Sequence, residues 1–228
     1  MDLINKLETY YYYENILDTA ETDVVRRHYT TGLIDGLTTN PSLIRKSGRK
    51  HEEVYQEFKD IGITDISMEV MGDKSNMISE GKRLYKKFGK VATIKVPCTP
   101  DGLKACAHLS VENIRVNVTL VFSAAQAILA AKAGAKYVSP FVGRMDDNSL
   151  DGVELVREIA SLYREHMVVG TEVIAASLRD VQSVSKCFGV GAEIVTMPPE
   201  VFEKMYKHVL TDRGLDQFDK DYAVSIGV

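Results

Sequence analysis

Apolar runs rich in β-branched residues recur along the chain at short and fairly even intervals. Segments with helical periodicity lie between them, such as the helices that Thr99, Ser123 and Asp151 are placed to cap. Strands that alternate with helices over short connections form parallel sheets with right-handed crossovers. The pattern therefore predicts an α/β fold with eight strands: NILDT (15–19), DGLTT (35–39), ISMEV (66–70), VATIKV (91–96), RVNVTLV (115–121), YVSPFV (137–142), TEVIAA (171–176) and EIVTM (193–197).

Eight units of strand and helix favour a closed (β/α)8 barrel, the TIM barrel, over an open sheet. Closure leaves no strand edge, and such barrels run to roughly 200–250 residues, which the 228 residues of this chain match. No internal repeat and no linker rich in Pro, Gly or Ser interrupts the chain, so we expect one domain over residues 1–228. Residues 1–14 precede the first strand as an extension, and residues 211–224 are predicted to form an extra terminal helix.

Polar residues interrupt these apolar runs on one face of the predicted strands, near their carboxyl ends. Residues two apart on a strand share a face, so Lys95 is grouped with Thr93, and Ser177 with Val173 and Ala175. The carboxyl ends of parallel barrel strands meet at one mouth, where barrel enzymes carry their active sites. Seven strands supply a polar residue there and the eighth supplies none; the residues are Asp18, Asn40, Glu69, Lys95, Asn117, Thr119, Ser139 and Ser177.

Three of these residues, Asp18, Glu69 and Lys95, are charged side chains within apolar strands. Such groups are rarely buried without a partner, so we expect one shared polar cluster. A single Ser or Thr can equally be a core hydroxyl or a cap, and Asn40 before Pro41 can equally cap a helix. Desolvation favours the neutral amine of a lysine, which can form a Schiff base with a ketone, and the two carboxylates are candidate acids and bases.

Two arginines follow late strands. Arg144 comes after strand six and Arg179 after strand seven, where barrel enzymes often bind phosphate. Ser177 can add a hydroxyl donor to such a site. A salt bridge of Arg144 with Asp146 or Asp147 is the alternative interpretation.

Composition narrows the possible partners. The 28 basic and 32 acidic residues give a net charge of −4, which argues against nucleic-acid or polybasic membrane binding. Cys98, Cys106 and Cys187 form no CxxC pair, and the histidines show no ligand spacing, so we expect neither a disulfide framework nor a metal site. The N-terminus lacks a signal-peptide pattern, and no run of about 18 apolar residues occurs. A cytoplasmic protein without membrane partners is therefore expected.

Several stretches, in order, resemble the transaldolase family in its short form, over about residues 15–222. They are ILDTA (16–20), GLIDGLTTNPSLI (32–44), ATIKVPCTPDGLKA (92–105), NVTLVFSAAQAILAAKAGAKYVSPFVGR (117–144), EVIAASLR (172–179) and LTDRGLDQF (210–218). The resemblance implies an (α/β)8 barrel and a class I aldol mechanism without a cofactor. It also implies transfer of a dihydroxyacetone unit from sedoheptulose 7-phosphate or fructose 6-phosphate to an aldose phosphate, in the non-oxidative pentose phosphate pathway.

The resemblance also implies a role for each candidate residue. Lys95 matches the Schiff-base lysine and Asp18 the aspartate that moves the hydroxyl proton, while Glu69 and Thr119 match the pair that holds a catalytic water. The positions that match substrate-binding residues are Asn40, Asn117, Ser139 and Phe141, with Arg144, Ser177 and Arg179 as the phosphate grip.

Two alternatives to a transaldolase are considered. The fructose-6-phosphate aldolases resemble the chain almost throughout but usually carry Gln at the Glu69 position and Tyr at the Phe141 position. Phe141 has no hydroxyl to protonate a bound enamine, so the residues here favour transfer to an acceptor aldehyde. The second alternative is a non-catalytic sugar-phosphate-binding protein on the same fold.

The two ends of the chain suggest an assembly. The dozen residues before ILDTA, including Tyr10 to Tyr13, extend beyond the usual start of the family and either cover the barrel, contact a neighbour or lack order. The segment 211–224 resembles the family's terminal helix, which packs on a neighbouring subunit. The resemblance therefore implies a homo-oligomer, a pentamer or a decamer.

Overall fold

Eight parallel strands close into a barrel in which each strand pairs with the next along the chain and the first pairs with the last. The structure is a computed structural model that describes residues 13–226. The predicted (β/α)8 barrel is confirmed. The strands are β1 Glu14–Asp18, β2 Gly36–Thr38, β3 Ile66–Glu69, β4 Ala92–Pro97, β5 Val116–Val121, β6 Tyr137–Pro140, β7 Glu172–Ala175 and β8 Ile194–Met197.

An α-helix follows every strand, and two of the connections between strands contain a second α-helix. Thr99, Ser123 and Asp151 cap their helices as predicted, since each side chain accepts a backbone N–H three residues on. The helices are α1 Thr22–Tyr29, α2 Pro41–Ser47, α3 His51–Ile61, α4 Lys74–Phe88, α5 Pro100–Val111, α6 Ala124–Lys132, α7 Val142–Asp146, α8 Gly152–Glu165, α9 Val181–Val190, α10 Pro199–Lys204 and α11 Val209–Ser225.

Side chains on the strands divide between two apolar layers. Ala92, Ile94 and Val96 of β4 are fully buried against the helices. A smaller group fills the barrel interior, formed by Ile16, Tyr137, Ile174 and Ile194. Alternation along each strand produces this division. The interior group lies below the carboxyl ends of the strands, so the side chains above it face a mouth with a closed floor.

Strand β7 corrects one sequence prediction. Val173 and Ala175 belong to the outer layer, whereas Ile174 lies inside the barrel, so the grouping of Ser177 with Val173 and Ala175 on the inner face was wrong. Ser177 has a φ of 62°, in the left-handed region. This backbone turn interrupts the alternation after β7 and changes the direction of the Ser177 side chain.

The amino end of the barrel is closed by a second set of polar groups. The Asp65 carboxylate accepts hydrogen bonds from Thr93 Oγ1 at 2.7 Å, from Arg115 Nη1 at 2.7 Å and from the Tyr137 hydroxyl at 2.8 Å. Burial and, to a smaller extent, the nearby carboxylates of Asp35, Glu172 and Asp65 together raise the pKa of Glu14 to about 7, against the opposing charge of Lys136. These charged groups lie at the amino end of the barrel, away from the mouth, and residues at that end usually serve the stability of the fold.

The last described helix, α11, lies at the surface. The helix predicted over 211–224 lies within α11, and none of the α11 residues is buried. Its apolar side chains include Leu215 at 55%, Phe218 at 71% and Tyr222 at 66% exposure. Large apolar side chains therefore lie on the surface of α11.

The predicted N-terminal extension lies mostly outside the described residues, since residues 1–12 are not among them. Tyr13 is described, and its ring centroid lies 5.3 Å from that of Phe188. Within residues 13–226, no helix is long and apolar enough to cross a membrane.

Candidate active site

A cavity of about 410 Å³ opens at the carboxyl ends of the barrel strands. It is bordered by residues from all eight strands or the loops that follow them. Ten of the eleven residues proposed from the sequence line it, and Arg179 is the exception. The ten are Asp18, Asn40, Glu69, Lys95, Asn117, Thr119, Ser139, Phe141, Arg144 and Ser177.

Lys95 lies at the floor of this cavity in a buried ion pair. It is the register partner of Glu69 on the neighbouring strand, and its Nζ lies 3.2 Å from Glu69 Oε2. The same Nζ donates to the carbonyl of Thr39 at 3.1 Å. The Lys95 and Glu69 side chains are only 7% and 10% exposed. Lys95 and Glu69 therefore meet as opposite charges, which fits the prediction that the charged residues of the strands share one polar cluster.

Asp18 ends β1 on the other side of the cavity. Its Oδ1 accepts a hydrogen bond of 2.9 Å from the Thr38 hydroxyl. Burial raises the pKa of Asp18, while the charge of Lys95 and the Thr38 hydrogen bond oppose that shift and the charge of Glu69 adds to it. A carboxylate with a raised pKa is suited to accept and return a proton during a reaction.

A chain of side-chain hydrogen bonds fixes the Asn117 amide. Ser139 Oγ donates to Asn117 Oδ1 at 2.7 Å, and Asn117 Nδ2 donates to Ser67 Oγ at 3.2 Å. Asn40 is held differently, because its Oδ1 accepts the backbone N–H of Leu43 and so caps α2. Asn40 therefore has both functions considered from the sequence: it is a helix cap and it lines the cavity.

Thr119 lies near the end of β5, where the strand is irregular. The register of β5 with β6 shifts between Val118 and Val121, and Leu120 has a φ of 59°. The Thr119 hydroxyl is buried and has no hydrogen-bond partner among residues 13–226. A buried hydroxyl requires a partner, so Thr119 is suited to bind a polar group of a molecule that enters the cavity.

The two arginines have different surroundings. The Arg144 guanidinium lies over the ring of Phe141, 4.9 Å from its centroid, and 5.9 Å from the centroid of Phe122. Arg179 forms a two-bond ion pair with Asp147, at 2.7 and 2.5 Å. The suggested salt bridge of Arg144 with Asp146 or Asp147 was therefore wrong, because Asp147 pairs with the other arginine and Asp146 accepts the backbone N–H of Gly152.

Gly143 allows the arginine segments to approach each other. A Cβ atom at Gly143 would lie 2.1 Å from the Ser177 carbonyl oxygen and 3.0 Å from Arg179 Nε. Only glycine fits there without a shift of the backbone. The start of α7 and the loop after β7 therefore come close together, and Arg144 and Arg179 lie on these two adjacent segments.

Two threonine hydroxyls of the site were not proposed from the sequence. Thr196 of β8 lines the cavity, so the prediction that the eighth strand supplies no polar residue was wrong. Its hydroxyl lies 2.6 Å from that of Thr38, which in turn bonds Asp18. The signal was present, since Thr196 follows the inward-facing Ile194 by two residues.

Among the described residues, no cluster of side chains resembles a metal site. Within residues 13–226, no group of three or more His, Cys, Asp or Glu side chains is placed to hold a metal ion. The reactive groups of the cavity are the Lys95 amine, the Asp18 and Glu69 carboxylates and the surrounding hydroxyls. This set can do amine and acid–base chemistry on a polar substrate.

Comparisons with known proteins agree with this chemistry. Residues 15–226 match the family model described as Transaldolase/Fructose-6-phosphate aldolase. A protein named "Probable transaldolase" from Caulobacter vibrioides is 50% identical over 91% of this chain and 95% of its own length. Proteins of the same name from Nitrosopumilus maritimus and Paracoccus denitrificans are 47% and 49% identical over 90% and 91% of this chain, and over 93% and 95% of their own lengths.

A solved structure shares the fold alone. The structure of a flavocytochrome b2 double variant with sulfite bound superposes with a TM-score of 0.61 at 15% identity, over 84% of this chain and 58% of that one. The family match covers nearly the whole barrel, including every residue of the cavity. The chain belongs to the transaldolase/fructose-6-phosphate aldolase family.

Proposed function

We propose that this protein is a transaldolase that works through a Schiff base on Lys95. The donor is a ketose phosphate, sedoheptulose 7-phosphate or fructose 6-phosphate, and the acceptor is an aldose phosphate, erythrose 4-phosphate or glyceraldehyde 3-phosphate. The transferred group is a dihydroxyacetone unit, as in the non-oxidative pentose phosphate pathway. The observation that carries the proposal is the buried Lys95 amine, 3.2 Å from Glu69 and on the same cavity floor as Asp18.

The first step forms the Schiff base. The neutral amine of Lys95 adds to the C2 carbonyl of the ketose, and the carbinolamine loses water to give an iminium ion. Glu69 lies within reach of Nζ, so its carboxylate can first take one proton from the Lys95 ammonium, which frees the neutral amine. After the amine has added and its N–H proton has moved to the carbinolamine oxygen, the protonated Glu69 gives its proton to the departing hydroxyl, which leaves as water. The buried hydroxyl of Thr119 is a second partner for that water.

The second step breaks the bond between C3 and C4. Asp18 takes the proton of the C4 hydroxyl, the aldose phosphate leaves as an aldehyde, and the electron pair of the broken bond moves into the iminium to form an enamine. The raised pKa of Asp18 favours this transfer. The acceptor aldehyde then undergoes the same steps in reverse, and water releases the new ketose. The iminium itself is the electron sink, so this sequence uses no cofactor.

The surroundings of the enamine support transfer over simple cleavage. Phe141 lines the cavity and packs with its ring centroid 5.8 Å from that of Phe122. These rings carry no hydroxyl that can protonate the enamine carbon. The three-carbon unit therefore remains on Lys95 until an aldehyde arrives. Asn117, fixed by Ser139 and Ser67, is placed to bind hydroxyls of this unit.

The phosphate of the substrate is assigned to Arg144, Ser177 and Arg179. Arg144 and Ser177 line the same side of the cavity, and Arg179 lies on the adjacent segment across Gly143. The Arg179 ion pair with Asp147 is about half exposed, so its strength is small and a phosphate dianion can compete for the guanidinium.

An acceptor-dependence assay tests the proposal. Fructose 6-phosphate is supplied with and without erythrose 4-phosphate, and release of glyceraldehyde 3-phosphate is followed with a coupling enzyme. A transaldolase releases it at a steady rate only when the acceptor is present, and Lys95→Ala abolishes the release. Equal steady rates without acceptor assign the protein as a fructose-6-phosphate aldolase instead. Binding of fructose 6-phosphate without any turnover assigns a sugar-phosphate-binding protein.

The assembly follows from α11 as a further part of the proposal. The helix leaves Leu215, Phe218 and Tyr222 more than half exposed, and burying such side chains contributes about 1.5–3 kcal/mol each. We propose that this surface contacts a neighbouring subunit in a homo-oligomer, either a pentamer or a decamer. We also propose that the protein works in the cytoplasm.

A further inference from the structure

Three oxygen atoms form a buried chain at one side of the cavity. Thr196 Oγ1 lies 2.6 Å from Thr38 Oγ1, and Thr38 Oγ1 lies 2.9 Å from Asp18 Oδ1. Thr196 and Thr38 are only 4% and 3% exposed. The chain joins β8, β2 and β1, which are neighbours in the barrel. It is therefore a fixed connection between Asp18 and a residue of the last strand.

Proton counting gives this chain a direction. Each threonine hydroxyl has one proton. When Asp18 is ionised it only accepts, so the Thr38 proton points to Asp18 and the Thr196 proton points to Thr38. Both hydrogen bonds are then satisfied. Within residues 13–226, Thr38 is the one hydrogen-bond partner of the Thr196 hydroxyl. When the Asp18 carboxylate is ionised, both hydroxyl protons of this hydrogen-bond chain therefore have an acceptor.

The direction reverses when Asp18 carries a proton on Oδ1. The acid then donates to Thr38, Thr38 donates to Thr196, and the Thr196 proton is left to point elsewhere. Thr196 borders the cavity, so that proton faces the bound molecule. The protonation of Asp18 and the presence of a donor in the cavity are thus coupled through two hydroxyls.

We propose that Thr196 is a positioning residue for Asp18: it favours the carboxylate before cleavage and presents its hydroxyl to the substrate once Asp18 holds the substrate's proton. This inference rests on the proposed function, since it takes Asp18 as the base of the cleavage step. No proton is gained or lost in the chain, because each hydroxyl keeps one proton and only its direction changes.

The charged groups around Asp18 are distinct from this chain. Inside the cavity they are Lys95 on β4 and Glu69 on β3. On the other side, Asp18 borders a second cavity of about 340 Å³ with ionisable residues from the loop after β1, α1 and α10, namely Glu21, Arg27, Glu200 and Glu203. A substitution of Thr196 leaves all of these charges in place. A change in the titration of Asp18 therefore reports the hydroxyl chain.

The test is Thr196→Val, which keeps the shape of the side chain and removes the hydroxyl. Loss of one hydrogen bond in such a chain lowers kcat about threefold to tenfold. The acidic limb of the pH profile of kcat moves up by about 0.5–1 pH unit, because Thr38 stabilises the ionised Asp18 carboxylate less strongly once Thr196 no longer donates to the Thr38 hydroxyl. Thr196→Ser, which restores a hydroxyl, returns both values toward those of the wild type.

Thr171→Val is the matched control. Thr171 is buried and its hydroxyl donates to the Ala135 carbonyl at 2.7 Å, away from the cavity. Its loss lowers the melting temperature and leaves the pH profile unchanged. If Thr196→Val does not fold, Thr196→Cys takes its place, with a shift in the same direction because a thiol is the weaker donor.

Borohydride trapping separates this inference from the proposed function. Wild type and Thr196→Val are treated with fructose 6-phosphate and borohydride, and both are expected to trap the substrate on Lys95, because Schiff-base formation does not need the chain. A wild type that traps nothing overturns the proposed function. A wild type that traps, with a Thr196→Val enzyme whose kcat and pH profile match it, overturns the role of Thr196. Failure of Thr196→Ser to rescue overturns it as well.

Discussion

The buried pair of Lys95 and Glu69 gives the sharpest energetic prediction. Removing either partner leaves one charge in the barrel interior, where their side chains are 7% and 10% exposed. Breaking a buried pair in this way costs about 3–5 kcal/mol. Removing both partners leaves no unpaired charge. We therefore expect the double variant Lys95→Met/Glu69→Gln to be far more stable than the sum of the two single changes predicts.

The size of the coupling follows from the separation. Two unit charges 3.2 Å apart attract by ~5 kcal/mol at an effective dielectric constant of about 20. Water and neighbouring polar groups relax around the charge left unpaired in each single variant and offset part of this attraction, which leaves a coupling free energy of about 3 kcal/mol between the two positions. For a chain of this length, each kcal/mol shifts the melting temperature by about 2–4 °C, so the cost of about 3–5 kcal/mol is expected to lower it by about 6–20 °C in each single variant.

A double-mutant cycle measures this coupling. Urea unfolding of the wild type, both single variants and the double variant is followed at one protein concentration and pH 7. The exposed pair of Arg157 and Glu154 provides the matched control, and its cycle with Arg157→Met and Glu154→Gln is expected to give about 0.5 kcal/mol or less. A Lys95–Glu69 coupling as small as that of the control would refute the buried pair, because independent sites add within about 0.5 kcal/mol.

Three further predictions concern pH, phosphate and assembly. Because the pKa of Glu14 is raised to about 7, the stability that its protonated form contributes is lost as pH rises from about 4.5 through 7. Glu14→Gln is therefore expected to have a higher melting temperature than the wild type at pH 8 but not at pH 4.5, whereas the exposed control Glu165→Gln shows no such change. A difference in melting temperature between Glu14→Gln and the wild type that does not depend on pH would contradict this. Arg144→Ala is expected to raise KM for fructose 6-phosphate about tenfold or more with a smaller change in kcat, and an unchanged KM in steady-state assays would remove the phosphate role. Phe218→Glu places a charge on the exposed face of α11 and is expected to give smaller particles than the wild type in light scattering, where an unchanged size would exclude this face from the interface.

The barrel and the centre of its mouth could be predicted from the sequence because both depend on alternation. Apolar runs with period two marked all eight strands, and Lys95, Glu69 and Asp18 stood out as charges that an apolar strand does not tolerate alone. The structure places these three on one cavity. Charged residues within apolar strands are therefore the clearest sign of a site that a single sequence shows, because their burial is costly without a partner.

The parts that could not be predicted depend on backbone turns and on contacts between distant segments. Phe141 was assigned to a strand, but β6 ends at Pro140 and Phe141 occupies the position just before α7. Ser177 faces the cavity because its φ is positive, which alternation does not reveal. The pairing of Arg179 with Asp147 requires the close approach across Gly143. Thr196 was overlooked because one hydroxyl in an apolar strand costs little when it finds a partner.

The claim at the centre of this account is that Lys95 carries a three-carbon unit during turnover. The most direct measurement is peptide mapping by mass spectrometry after borohydride reduction of the enzyme with fructose 6-phosphate. We predict one reduced dihydroxyacetone adduct on the peptide that contains Lys95, and its loss from that peptide once erythrose 4-phosphate is added before the reductant. An adduct on another lysine, or none under conditions of measured turnover, would contradict the account.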